Sequence, residues 1–111
     1  MATATFLQNG DNIDYTPTSA VSAGDVVVQN DLVGVATRDI AANALGALSV
    51  SGVFSFPKAT GSGSAISAGE KCYWNTSTSK AQTTASTYKL IGKCIAAASD
   101  DDTTVEIRLD Q

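Results

Sequence analysis

The chain has no histidine. That absence removes the commonest general base, the usual zinc ligand and every Ser-His or Cys-His nucleophile pair. Charge is scarce as well: charged residues make up 16% of the sequence against 43% hydrophobic. Such a chain is too apolar to be disordered, and its charge-poor surface is of the kind that becomes covered. Net charge is -4, and the cations are spread thinly, with Lys58, Lys71, Lys80, Lys89 and Lys93 scattered and Arg38 and Arg108 isolated. No basic stripe is visible, so sequence-independent phosphate binding is disfavoured and no nucleic-acid partner is expected. No run approaches the roughly 18 to 20 apolar residues of a bilayer span. The N-terminus, Met-Ala-Thr-Ala-Thr-Phe, lacks the basic start and apolar stretch of a signal peptide, which points to synthesis in the cytosol and no membrane partner. Two cysteines, Cys72 and Cys94, fall short of a disulfide framework and of a four-ligand zinc site. Small buried thiols are the simpler reading, with a cross-strand bridge as the alternative.

What is present is the periodicity of strands. Residues 104–110 alternate without a fault, Val105, Ile107 and Leu109 on one face and Glu106, Arg108 and Asp110 on the other. Asp100-Asp101-Asp102 before them reads as a tight turn, and residues 89–96 as the other arm of a hairpin, with Gly92 marking a bulge or a close backbone approach. Lys71-Cys72-Tyr73-Trp74 and Lys80-Ala81-Gln82 flank a turn-rich connector and form a second hairpin, Cys72 and Trp74 sharing one face. In the first half, residues 3–8 and 13–16 flank an Asn9-Gly10 turn, and further strands fall at 25–29, 32–36, 46–50 and 53–56. Residues 39–45 lean towards helix but are too few to hold one, and a turn is expected.

Ser22-Ala23-Gly24-Asp25 returns as Ser67-Ala68-Gly69-Glu70, and Leu32-Val33-Gly34-Val35 is answered by Leu90-Ile91-Gly92-Lys93. Aligning the last strand of each half sets residues 46–50 against 104–108. Each half is then a Gly turn followed by three strands, and a three-stranded unit cannot bury its apolar face alone. Two packed together close a small core and remove exposed edges. The expected fold is therefore all-β, a small β-barrel or sandwich of two similar three-stranded units with little or no helix. One domain is expected over 1–111: an N-terminal strand or hairpin arm (1–20), a first β unit (21–56), a Gly/Ser-rich loop (57–68) anchored by Ile66, and a second β unit (69–111).

No motif supplies chemistry. The Gly-Ser stretch ending Gly69-Glu70-Lys71 fails as a phosphate loop, which needs Lys directly after its last Gly and then Ser or Thr opening a helix. Asp100-Asp101-Asp102 lacks the converging ligands of a calcium site. No catalytic residue, metal or cofactor is expected. Tyr73 and Trp74 could form a sugar or base platform, although Trp74, alternating with Cys72, is more simply a core residue. Phe54 and Phe56 share one face of a short strand, which either the core or an intersubunit patch would use.

The succession Ile13-Asp14-Tyr15-Thr16, Ala23-Gly24-Asp25-Val26-Val27-Val28, Leu32-Val33-Gly34-Val35-Ala36, Gly52-Val53-Phe54-Ser55-Phe56-Pro57-Lys58, Gly69-Glu70-Lys71-Cys72-Tyr73-Trp74 and Leu90-Ile91-Gly92 resembles a family of small tailed-phage and prophage proteins described as capsid cement or decoration proteins. Residues 89–109 are also similar to the corresponding stretch of lambda-type head decoration proteins. The resemblance implies a small β-barrel on the exterior of an HK97-type phage capsid, commonly trimeric, with the major capsid protein as partner and the virion as location. Some relatives carry a recombinase label, against which the missing nucleotide loop argues. Cys72 departs from the β-branched residue expected there. Under this reading the N-terminal segment is the shell-contacting element, through Thr3, Thr5, Phe6 and Leu7, by strand addition to a capsid edge. Phe54 and Phe56 would supply the intersubunit patch of the homotrimer. The rival reading is a surface-displayed β module that recognises host carbohydrate through exposed aromatics such as Tyr73.

Overall fold

The structure, a computed structural model, describes Ala4 and residues 10–110. Among these residues the chain forms strands and turns without helix. The strands are β1 (Asn12–Tyr15), β2 (Val26–Gln29), β3 (Leu32–Ala36), β4 (Gly46–Ser49), β5 (Gly52–Pro57), β6 (Lys71–Asn75), β7 (Lys80–Gln82), β8 (Lys89–Cys94) and β9 (Thr104–Leu109). They make two antiparallel sheets, a smaller one in the order β1-β4-β3-β2 and a larger one in the order β5-β9-β8-β6-β7. Residues 39–45, with their weak helical leaning, form a bridge and a turn in which Asn43 has φ +62°. The Asn9-Gly10 hairpin lies largely outside the described residues; β1 pairs with β4.

The duplication is carried by the hydrogen bonds. Ser22 N–H donates to Asp25 Oδ2 at 2.9 Å while Asp25 N–H donates to the Ser22 carbonyl at 3.0 Å. Ser67 N–H donates to Glu70 Oε1 at 2.9 Å and Glu70 N–H to the Ser67 carbonyl at 3.1 Å. Gly24 and Gly69 turn the chain at φ +90° and +85°, a conformation that a Cβ opposes. The next contacts match too: Gly24 N–H reaches Ala36 O and Gly69 N–H reaches Cys94 O, and the bridge Val21–Ile40 has its counterpart in Ile66–Ala98. The same serine-acid turn occurs a third time, Ser99 N–H to Asp102 Oδ2 at 2.8 Å, with no glycine.

The three-stranded cores β4-β3-β2 and β9-β8-β6 correspond, extended by β1 on β4 and β5 on β9, with β7 added beside β6. Two details correct the sequence alignment. Strand β5, grouped there with the first unit, pairs along its length with β9 in the second. Ala36 pairs with Leu48 as Cys94 pairs with Ile107, so Leu48 corresponds to Ile107 rather than to Glu106. Both are fully buried, and burial sets the register, since a one-residue slip would turn Leu48 to solvent.

The main core lies between the sheets. Val33 and Val35, with Val26 and Val28 beside them, pack on Phe56, Cys72, Trp74, Ile91, Cys94, Val105, Ile107 and Leu109. Each large aliphatic or aromatic side chain buried there contributes about 1.5–3 kcal/mol. A second cluster, Ala36, Ile40 and Leu48 with Ile13, Tyr15, Val21 and Val27, covers the other face of the smaller sheet. The 57–68 loop is anchored by Ile66, as its apolarity suggests, and also by Lys58, which is buried.

Candidate functional site

The side chains that sequence singled out go to different places. Thr3, Thr5, Phe6 and Leu7 lie outside the described residues. Phe56 is only 1% exposed and stands edge-on to Trp74, with ring centroids 6.0 Å apart. It is a core residue, and an intersubunit contact could use it only as support. Phe54, half-buried and 6.4 Å from Phe56, is the member of the pair that reaches the surface. Trp74 is buried, so Tyr73, half-buried on the opposite side of β6, has no partner ring in the dipeptide for a sugar platform.

Cys72 and Cys94 are free thiols on one buried face. Burial, and then the neighbouring Cys94, push the Cys72 thiol up to about 12. It stays protonated and unreactive at neutral pH. Cys94 Sγ donates to the Ser67 carbonyl at 2.8 Å, tying the repeated turn to the core.

Lys58, one of the scattered cations, is only 1% exposed. Its Nζ donates to the Ala59 carbonyl at 2.8 Å and to the Asp100 and Asp102 carbonyls at 3.4 Å each. The aspartate turn is thus held from beneath by an ammonium. Its carboxylates serve the backbone, Asp100 Oδ1 accepting Ala65 N–H and Asp102 Oδ2 accepting Ser99 N–H.

The surface offers open grooves. One groove of about 560 Å³ follows the edge strand β2 past Val26 and Val28 to Trp74 and Ser79. Another of about 630 Å³ joins Asp14, Arg38 and Asp39 beside exposed Leu45. Among the described residues no three of His, Cys, Asp and Glu are placed to share a metal ion. What sequence inspection missed is that folding aligns cations. Lys71, Lys93 and Arg108, far apart in the chain, fall in a single row on the outer side of the larger sheet. Strand alternation places each on an outward face, but only the register brings them together.

The site residues thus resolve into an inert core, hydrogen-bonded turns and exposed outer strand faces. A family model described as phage cement protein matches residues 7–109, which takes in all nine strands. No curated protein and no solved structure matches the chain. The chain belongs to the phage cement protein family, whose role is structural, on the phage capsid.

Proposed function

We propose that this chain cements an HK97-type phage shell from its outer surface, as a homotrimer whose copies each touch neighbouring major capsid proteins. The observation that carries the reading is the family match across the whole described fold. A clamp that contacts adjacent shell subunits binds only the assembled state, and so stabilises it by mass action. Each copy can bind modestly, because a trimer engages several sites at once. The N-terminal residues Thr3, Thr5, Phe6 and Leu7 add as a strand to a capsid edge, and Phe54, backed by Phe56, contributes to the contact between copies. The chain is synthesised in the host cytosol and joins the shell there. This role calls on no catalysis, cofactor, nucleic acid or membrane. The charge-poor composition suits it, since buried interface centres are depleted in charge.

Sedimentation with assembled shells tests the reading, with light scattering to give the mass of the free and bound protein. A trimer that pellets saturably with shells, and not with dissociated capsid subunits, is the expected outcome. A monomer indifferent to shells contradicts it.

A further inference from the structure

The outer side of the larger sheet carries an arrangement that folding does not require. Lys71 on β6 is directly opposite Lys93 on β8, and Lys93 is directly opposite Arg108 on β9. The row ends at Val53 on β5, which pairs with Arg108. Strands in a sheet lie about 4.8 Å apart, so three of the seven cations occupy about 10 Å of one line. All three are exposed, while their neighbours Cys72, Cys94 and Ile107 point into the core.

Like charges placed directly opposite in neighbouring strands destabilise a sheet. The surroundings do little to offset this. The carboxylate of Glu70, next to Lys71, is held by Ser67 N–H. Asp110 stands 4.0 Å from Arg108 with both side chains more than half exposed, a pair that solvent screens heavily. Among the described residues neither Lys71 nor Lys93 has a carboxylate within ion-pair distance. The row is flanked by two of the three large apolar side chains exposed among the described residues, Val53 at 52% and Ile95 at 48%. Ile95 N–H donates to the Glu106 carbonyl, which places it one step along from the Lys93–Arg108 pair.

We infer that this face docks an acidic strip of the capsid protein, its carboxylates meeting Lys71, Lys93 and Arg108 while Val53 and Ile95 pack beside them. The inference rests on the cement reading and names the face which that reading uses. A protein surface fits better than a nucleic acid. Exposed Glu106 on β9 and exposed Asp110 just past its end flank Arg108, so the face has patterned charge that a partner of matching pattern satisfies and a uniform polyanion does not. Apolar side chains beside charged ones are likewise the composition of a protein contact.

Lys93→Glu separates binding from folding. It sets a carboxylate between two cations, so the variant is expected to melt at a higher temperature than the wild type while its affinity for assembled shells falls about tenfold or more. Lys93→Arg retains binding, Arg38→Glu makes the same change in net charge on a remote loop and leaves binding unchanged, and wild-type affinity declines with rising NaCl. Shell binding by Lys93→Glu equal to wild type, with the same NaCl dependence, overturns the inference alone. So does an equal loss in Arg38→Glu, or retention on duplex DNA that Lys93→Glu abolishes while shell binding persists. A wild-type chain that does not pellet with shells overturns the cement reading and this inference with it.

Discussion

Gly92 is packed against the backbone of Arg108 so closely that a Cβ built on it would collide with the Arg108 carbonyl oxygen and come within 2.9 Å of Asp110 N. The contact sits at the bulge where β6 passes from pairing Cys72 with Gly92 to pairing Tyr73 with Leu90. It joins the two strands that carry Lys93 and Arg108. Backbone cannot move aside as a side chain can, so Gly92→Ala is expected to cost about 3 kcal/mol. At its repeat counterpart Gly34 a Cβ would lie 3.0 Å from the Leu48 Cβ and 3.3 Å from the Ser49 carbonyl oxygen, a crowding that a shift of a few tenths of an ångström relieves, and there the cost is about 1 kcal/mol. Urea midpoints of the two variants check this; equal losses contradict it.

Lys58→Met keeps the length of the buried side chain and removes its donors. The Ala59, Asp100 and Asp102 carbonyls each lose this donor, Asp100 keeping the Gly61 N–H, at a cost of about 2 kcal/mol. Because the lost bonds hold the turn before β9, amide exchange in residues 99–103 accelerates more than in β2 and β3. A variant as stable and as protected as wild type contradicts the staple role.

Cys72 links stability to alkaline pH. Its thiol ionises near 9.0 when free of the fold and at about 12 within it. The unfolded chain therefore loses a proton that the folded chain retains. Stability contributed by the protonated thiol is full below about pH 9 and is lost as pH rises towards about 12, by up to roughly 1.4 kcal/mol per pH unit. Replacement by Val, the residue at the matching position Val27, removes this slope. Urea midpoints of wild type and Cys72→Val at pH 8 and pH 10.5 check the sign; the wild type loses more over that interval, and parallel losses contradict the assignment.

Phe54 and Phe56 are expected to part company under mutation. Phe56→Ala empties a site in the main core and costs about 3–5 kcal/mol. Phe54→Ser, at a half-buried position, leaves the monomer folded and lowers the mass measured by light scattering if Phe54 joins copies. An unchanged trimer in Phe54→Ser removes that residue from the intersubunit contact.

The strands were legible in the sequence because alternation is a local property. Val105, Ile107 and Leu109 are buried and Glu106 and Arg108 exposed, as their spacing requires. The repeated serine-acid turns were legible for the same reason, since donor and acceptor lie within four residues. Features that depend on which strands pair were hidden. Residues 53–56 read as part of the first unit, yet β5 pairs with β9 in the other sheet, where Phe56 is buried. The burial of Lys58 follows from carbonyls more than forty residues away. The cation row likewise exists only because the registers of β6, β8 and β9 bring separated residues level.

Shell rupture is the most direct test of whether this domain strengthens a phage shell. DNA-filled shells lacking the protein would be heated with increasing amounts of it while DNA release is followed by a dye. The expected rupture temperature climbs and then plateaus as sites fill. An unchanged rupture temperature at saturating occupancy would contradict the cement reading.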